Sequence, residues 1–416
     1  MQNFGVYPIR NQVSDVLPYK DNCMRSLERR PWKQIRIDID TRLLVSDISN
    51  TTLAADLINN VFTPVVEYLT STLKVRRRVQ RIRLNDICKP SARGKCPGLE
   101  AGSFCGDVRP PSLNSDADVV VVFTAKDEPS PLIRASSLSC ATDECDRPIF
   151  GRINLSPLEL LGYDAANINR LRAIILHEFT HILVFDLAHM PRYRFSNGRP
   201  RVAREADGLP PRIYYDARYV GNVLKISNFG VSTPQPFSIE STNGVVQHFN
   251  ERGMSCDCPG KSNESWEKCL RNTTHGPCVG KIITAKVKEK VREYFNCPTL
   301  NGAELDNEDP DPLFVFNSHW SERILGDDLM NGFVPSEGEE LPQLSNITLA
   351  LYEDSGWYQV NYSNALQAEK GVTRGYLAGC EFAMGDGAIH ILPRVTMLPV
   401  IDLIALARTI WSFFKS

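Results

Sequence analysis

The chain has 416 residues, with 47 basic against 49 acidic side chains and a formal net charge of −2, so no overall electrostatic pull draws it to nucleic acid or to an anionic membrane. With 42% apolar residues and a mean hydropathy of −0.23 it can bury cores of ordinary size, which excludes a disordered chain and a polytopic membrane protein. At about 150 residues per domain the length allows two or three domains.

From Trp32 the run KQIRIDID alternates Ile35, Ile37 and Ile39 with polar residues and predicts a half-buried strand. Leu57, Val61, Val65, Tyr68 and Thr72 follow at helical spacing, with a kink expected at Pro64. The basic run Lys74 to Arg83 is read as a strand with a solvated charged face. Val119 to Phe123 is a continuous apolar run, hence a central strand, and Leu132 to Ser136 and Phe150 to Leu155 are shorter strands. Ser156, Pro157 and Glu159 open a short helix. A second helix starts near Ala165, with Ile168, Leu171, Ile175, Phe179 and Ile182 on its buried face.

Residues 190–280 are rich in Pro, Gly, Asn and Cys and read as an inserted, disulfide-pinned subdomain. Lys281 to Phe295 restores a helix, and Glu304 to Pro312 is a loop or linker. Helices and strands in this order make the fold class α+β.

Twelve cysteines exceed what a reducing compartment usually holds. Without a pair of CxxC motifs to build a zinc ribbon, they are read as disulfides. Sequons at Asn50, Asn263, Asn272, Asn346 and Asn361 agree with a secretory route, while that at Asn154 is weakened by Pro157. A secreted or cell-surface protein is expected. Residues 1–25 show no apolar core of a signal peptide, however, so a cytosolic location stays open. Met397 to Phe414 is apolar but carries Asp402 and Arg408 near its middle. It is read as an amphipathic or unstructured tail, and membrane association does not follow from it.

Inside the second helix lies His177-Glu178-Phe179-Thr180-His181. Imidazoles at i and i+4 project from one helical face, so both can reach one Zn²⁺, and Glu178 can reach a water on that metal without being a ligand. Zinc lowers the pKa of such a water toward 7, and a carboxylate can then take its proton and pass it to a leaving amine. With 7 histidines in the chain, a chance HExxH is expected on the order of 1% of the time. A third protein ligand is needed. The candidates are His189, Glu205, His248, His275 and His319, and spacing does not choose among them.

The segments NSHWSERILGDDLMNGF (317–333) and ITLALYEDSGWYQVNYS (347–363) resemble the third-ligand region, Met-turn and closing helix of the leishmanolysins, a metzincin family that includes the invadolysin-like proteases. The resemblance extends through KVKEKVREYFNCPTLNGAEL and the HEFTH helix, over residues 32–386. It implies a metzincin-type catalytic domain: a twisted, mostly parallel sheet with an antiparallel edge strand, an active-site helix and a disulfide-rich insertion. His319 becomes the third ligand of one Zn²⁺ and Met330 the methionine beneath it, leaving His189 a surface histidine and Glu205 a loop carboxylate. Leu132, Ile133, Arg134, Ala135 and Ser136 would form the edge strand that pairs with an extended peptide substrate.

The same resemblance divides the chain into a propeptide end (1–31), an N-terminal catalytic subdomain (32–189), an inserted Cys-rich subdomain (190–300), a C-terminal catalytic part (301–386) and a divergent apolar tail (387–416). Cys23 is then read as a disulfide or free thiol rather than a latency ligand. The implied function is a zinc endopeptidase acting on proteins or peptides; the alternative is an inactive secreted or surface binding protein on the same frame. Two positions depart from the family. Val184 stands where metzincins have a glycine, so either the helix ends differently or the metal site is strained. After Asp386 the family's large cysteine-rich domain does not follow, so the chain reads as C-terminally truncated and Cys380 as the best candidate for a free thiol.

Overall fold

The alternating isoleucines after Trp32 do not make one strand, because the chain passes from one sheet into another at Ile35 and Arg36. Strand β1 (Trp32–Gln34) ends where the Ile35 amide donates to the Leu73 carbonyl at 3.0 Å. Strand β2 (Ile37–Asp40) begins after Arg36 has bound Asp118, whose carboxylate accepts from the Arg36 amide at 3.0 Å. The structure is a computed structural model. It describes residues 23, 30–76, 81–83, 114–128, 133–161, 163, 167–186, 189–204, 216–220, 223–227, 244–249, 279–306, 318–332 and 343–385.

Helices α1 (Arg42–Ile48) and α2 (Thr51–Asp56) lead into a π-helical stretch, Leu57–Phe62, and then α3 (Thr63–Thr72). The backbone stays helical from Thr51 to Thr72, with Pro64 falling directly after the π-helical stretch. Lacking an N–H, it sits in the first turn of α3, and the extra residue of the wider turn is taken up before it. Strand β3 (Leu73–Arg76) is the middle strand of a three-stranded sheet with β1. Short strands β4 (Ile82–Arg83) and β5 (Asn114–Ser115) pair antiparallel.

Then come β6 (Val119–Thr124), β7 (Ala135–Thr142) and β8 (Pro148–Leu155). With β2 they form a four-stranded sheet in the order β2-β6-β8-β7, parallel except for the antiparallel pairing of β7 with β8. Strand β6 is buried along its whole length, as a continuous apolar run requires of a strand covered on both faces. Val119, Val121 and Phe123 face the main core, and Val120 and Val122 a smaller cluster with Ile149 and Phe150.

Helix α4 (Pro157–Leu161) is followed by α5 (Ile168–Leu183), which carries the HEFTH sequence. Leu171, Ile175, Phe179 and Ile182 are buried as the periodicity predicts. Gly151 of β8 lets α5 lie close on the sheet: a Cβ there would come within 2.6 Å of Ile182 Cγ2.

Strands β9 (Asp216–Val220) and β10 (Val223–Ser227) form a hairpin, and β11 (Val246–Phe249) and β12 (Val279–Ile282) pair antiparallel. Helix α6 (Ala285–Phe295) follows. Its first turn is capped from a distance by Asp354, whose carboxylate accepts from the Lys286 and Val287 amides at 2.7 and 2.9 Å. Strand β13 (Ala303–Glu304), α7 (Glu322–Leu325), α8 (Asn346–Asp354), β14 (Tyr358–Val360) and α9 (Gly379–Met384) complete the described chain. Strand β14 joins the far side of β3. Met190, Tyr193, Val202, Val245 and Ile282 share one apolar cluster with Phe179 of α5 and Leu349 of α8.

Several expectations need correction. Strand β7 begins at Ala135 and runs on to Thr142, so Ile133 and Arg134 precede it; Leu132 lies outside the described residues. Cys380 is bonded to Cys297, tying α9 to the end of α6, and is not a free thiol, whereas Cys23 forms a disulfide with Cys145, one of its two expected states. No described cysteine is free. Asn154 is buried in β8 with its amide donating to Lys126 O and Glu128 Oε1, a poor glycan acceptor. Asn263, Asn272, the Glu304 to Pro312 linker beyond Asp306, and the 387–416 tail lie outside the described residues.

The Gly151–Ile182 contact is testable. Gly151→Ala should lower stability by about 1 to 3 kcal/mol, the usual cost of overpacking, and Ile182→Leu in the same chain, which lacks the clashing Cγ2 methyl, should restore part of it. Denaturant midpoints of the two variants measure this; an unchanged midpoint for Gly151→Ala would show that α5 is not held against β8 there.

Candidate metal centre

His177 and His181 stand one turn apart on the buried C-terminal half of α5. Each is oriented by a main-chain carbonyl: His177 Nδ1 lies 2.8 Å from Leu329 O and His181 Nδ1 2.7 Å from Phe185 O. A carbonyl only accepts, so in both rings Nδ1 carries the proton and Nε2 a lone pair.

His319 reaches the same point from the far end of the chain. A bridge between Leu305 and Trp320 holds its segment. The Asp306 amide donates to His319 O at 2.9 Å, and the Trp320 amide to Met330 O at 2.9 Å. The three Nε2 atoms converge, at 2.9 Å between His177 and His181 and 3.2 Å from each of these to His319. Among the described residues this is the one cluster with the spacing of a metal site. Lone pairs facing each other at such distances repel, and a cation between them turns that repulsion into ligation.

Burial drives the electrostatics. Desolvation lowers the pKa of His177 to about 4 and that of His319 to about 3, the latter helped by the charge His177 would carry. His181 is pushed well down by burial and by both neighbours. All three rings are therefore neutral at physiological pH, the form in which imidazole binds a metal.

Glu178 is buried, and burial raises its pKa to about 7, against the lowering effect of a hydrogen bond from Ser137. Ser137 Oγ donates to Glu178 Oε2 at 2.5 Å. Ser137 belongs to edge strand β7, so the strand and the HExxH carboxylate are directly joined. The sequence alone did not single out Ser137, since its facing is fixed by the pairing of β7 with β8. A carboxyl titrating near neutrality beside three neutral imidazoles can exchange a proton with a bound water.

Met330 is fully buried in a turn whose preceding carbonyl, Leu329 O, is the one that meets His177. Asp328 braces the turn: its carboxylate accepts from the Met330 amide at 2.8 Å, from Thr348 Oγ1 at 3.1 Å and from Ser345 Oγ. Thr348 Oγ1 also accepts from Trp320 Nε1 at 2.8 Å. One buried carboxylate thus links the turn, the start of α8 and the residue next to His319. It too was missed, being one acidic residue among several in GDDLMNGF.

His189 is not a surface histidine: it is 2% exposed, with Nε2 on Ile182 O at 3.0 Å. His248 falls in β11, and Glu205 and His275 lie outside the described residues.

Metal-free protein should be acid-sensitive, with a determinable sign. In the unfolded chain the histidines titrate near 6.5, whereas folded His177 resists protonation down to about 4. The unfolded state therefore binds more protons in that window, and stability present above it is lost as the pH falls through it. Glu178, raised from 4.5 to about 7, works in the opposite direction, as one carboxyl against three imidazoles. The melting temperature of chelator-stripped protein should fall with acidification from pH 6.5 to about 4, and less steeply in His319→Ala. Equal slopes would contradict the burial of neutral imidazoles.

The leishmanolysin peptidase family model matches residues 265–388, which hold His319, Met330 and α8. The chain is 28% identical over 367 residues to the leishmanolysin-like peptidase of Drosophila melanogaster, covering 79% of this chain and 47% of that protein. It is 28% identical over 281 residues to the leishmanolysin-like peptidase of Caenorhabditis elegans, covering 65% of this chain and 34% of that one. To the leishmanolysin homolog of Crithidia fasciculata it is 32% identical over 118 residues, 28% of this chain and 16% of the homolog. The chain spans about half the length, or less, of the relatives it matches. Residues 265–388 thus match the leishmanolysin family model, and most of the chain, the HEFTH helix included, is similar to leishmanolysin-like peptidases at 28% identity.

Proposed function

We propose that the chain is a zinc endopeptidase that hydrolyses peptide bonds of extended protein or peptide substrates. The observation that carries this reading is the convergence of three neutral imidazoles beside a buried carboxylate raised to about 7. A tetrahedral zinc with bonds of about 2.0 to 2.1 Å sets its nitrogens about 3.3 Å apart, close to the 2.9 and 3.2 Å separations of the Nε2 atoms. His177, His181 and His319 would hold one ion per chain, with Met330 in the turn beneath.

Bound there, zinc supplies a Lewis acid for the scissile carbonyl and makes a nearby water acidic. Glu178 takes the proton of the attacking water and hands it to the leaving amine, as its near-neutral pKa allows. Ser137 holds one carboxylate oxygen of Glu178 and so fixes where the other can reach. Strand β7, at the edge of the sheet and one hydrogen bond from Glu178, is the surface on which an extended substrate would pair through its main chain. The frame is read as the metzincin one, with β7 as its antiparallel edge.

A secretory location is part of the proposal. It is supported by the disulfides and by the exposed sequon residues Asn50, Asn346 and Asn361. No helix among the described residues is long and apolar enough to cross a membrane.

Glu178→Gln should keep zinc and lose turnover by at least ~100-fold, since the amide preserves the shape and lacks the base. Metal analysis and a chelator-sensitive peptidase assay read this, and a variant within a few-fold of the parent would refute the role of Glu178. His319→Ala should weaken zinc retention strongly in a competition titration. Undiminished retention would remove His319 from the ligand set. Zinc uptake by the unaltered protein without cleavage of unfolded proteins would instead favour the inactive binding protein.

A further inference from the structure

Helix α5 ends two residues after His181, and it ends without a glycine. Val184 has φ −152° and is absent from the positive-φ residues, so the left-handed turn that would favour glycine is not made. Nor does the helix run on. The Val184 and Phe185 amides both donate to Thr180 O, at 2.9 and 2.8 Å, and the chain leaves the axis there.

Such an exit leaves the last helical carbonyls in the interior without helical partners, where an unpaired carbonyl is costly. Three side chains reach them in succession. His189 Nε2 lies 3.0 Å from Ile182 O, Tyr358 Oη donates to Leu183 O at 3.1 Å, and Tyr193 Oη donates at 3.0 Å to the carbonyl of Val184, just past the helix, which also accepts from the Asp186 amide at 3.0 Å. All three side chains are buried. The next carbonyl in line, Phe185 O, is the one that orients His181.

The cap is itself held in place. Trp357 packs edge-on against His189 and Tyr193, with ring centroids 5.8 and 5.5 Å away. Gly356, at φ +78°, lets the two capping segments touch: a Cβ there would lie 2.2 Å from Arg194 O. The Arg194 amide donates to Ser355 O at 2.9 Å. Residues 189–194 and 355–358 thus form one unit behind the end of α5.

We propose that His189, Tyr193 and Tyr358 are positioning residues of the metal centre, a side-chain cap that serves a helix end made without a left-handed turn and sets Phe185 O against His181 Nδ1. The proposal rests on the reading of His181 as a zinc ligand. It explains why valine is tolerated at position 184: the conformation there is one valine can hold, and the carbonyls that the turn would otherwise satisfy are met from outside the helix.

The test compares Tyr193→Phe, Tyr358→Phe and their combination with Tyr68→Phe. Tyr68 is a buried tyrosine whose hydroxyl serves Asn364 O and the Leu344 amide instead. Zinc affinity is read by competition with a chromogenic chelator, and site geometry by the visible spectrum of the Co²⁺-substituted protein. The combined variant should bind zinc ~10-fold more weakly, as losses around metal-bound histidines do, with an altered cobalt spectrum. Tyr68→Phe should lower the melting temperature while leaving both unchanged. Were the combined variant too unstable to purify, each single variant should show a smaller shift of the same kind. Affinity and spectrum indistinguishable from those of Tyr68→Phe would reduce the cap to a general stabilising device and overturn the proposal. An unaltered protein that takes up no zinc would overturn the metal-centre reading instead.

Discussion

Two main-chain carbonyls govern the centre of this protein. Leu329 O and Phe185 O fix the protons of His177 and His181 on Nδ1 and so turn both Nε2 lone pairs toward the point that His319 enters. Either ring could rotate or change tautomer without its carbonyl, and the site would lose its donor set. The acceptors come from segments that are not helical, so their positions have to be held by something else.

For Leu329 the holder is electrostatic and deeply buried. Asp328 gathers the Met330 amide, Ser345 and Thr348 around one carboxylate, and Thr348 passes the constraint to Trp320 beside His319. Burial pushes the Asp328 carboxyl up, while the hydrogen bonds from Ser345, the Met330 amide and Thr348 oppose the rise. A group so enclosed is rigid because every alternative leaves a polar atom unpaired. Asp354 plays a similar part at the other end of α8, capping α6 and pairing with Arg201 at 3.1 Å. Helix α8 therefore joins the His319 segment to the start of α6, through Asp328 beside its first turn and Asp354 at its last residue.

The sheet supplies the reference frame for the helix. Gly151 brings α5 close to β8, and the antiparallel return of β7 carries Ser137 to Glu178. The Glu178 carboxylate is thereby tied to the edge strand of the sheet. The disulfides act at the periphery of this arrangement: Cys23–Cys145 anchors an N-terminal residue beside the loop whose Cys145 carbonyl accepts from Trp357 Nε1 at 2.9 Å, and Cys297–Cys380 closes α6 onto α9.

The amino-acid sequence by itself determined the local elements whose signal is periodic. Buried β6, the apolar stripe of α5 and the pairing of His177 with His181 all follow from spacings of one strand or one helical turn. His319 and Met330 were legible only through the resemblance of 317–333 to a family, because 138 residues separate His319 from His181 and no local rule spans that distance. What only the tertiary structure decided depends on which chain segments meet. Ile35 and Arg36 split a well-patterned strand because they pair with Leu73 and Asp118, and β7 starts later than its composition suggests because its extent follows its pairing with β8. Val184 shows the limit most plainly: in sequence it is a residue unsuited to a left-handed turn, and in the fold the turn is unnecessary because His189, Tyr193 and Tyr358 arrive from elsewhere to satisfy the carbonyls it exposes.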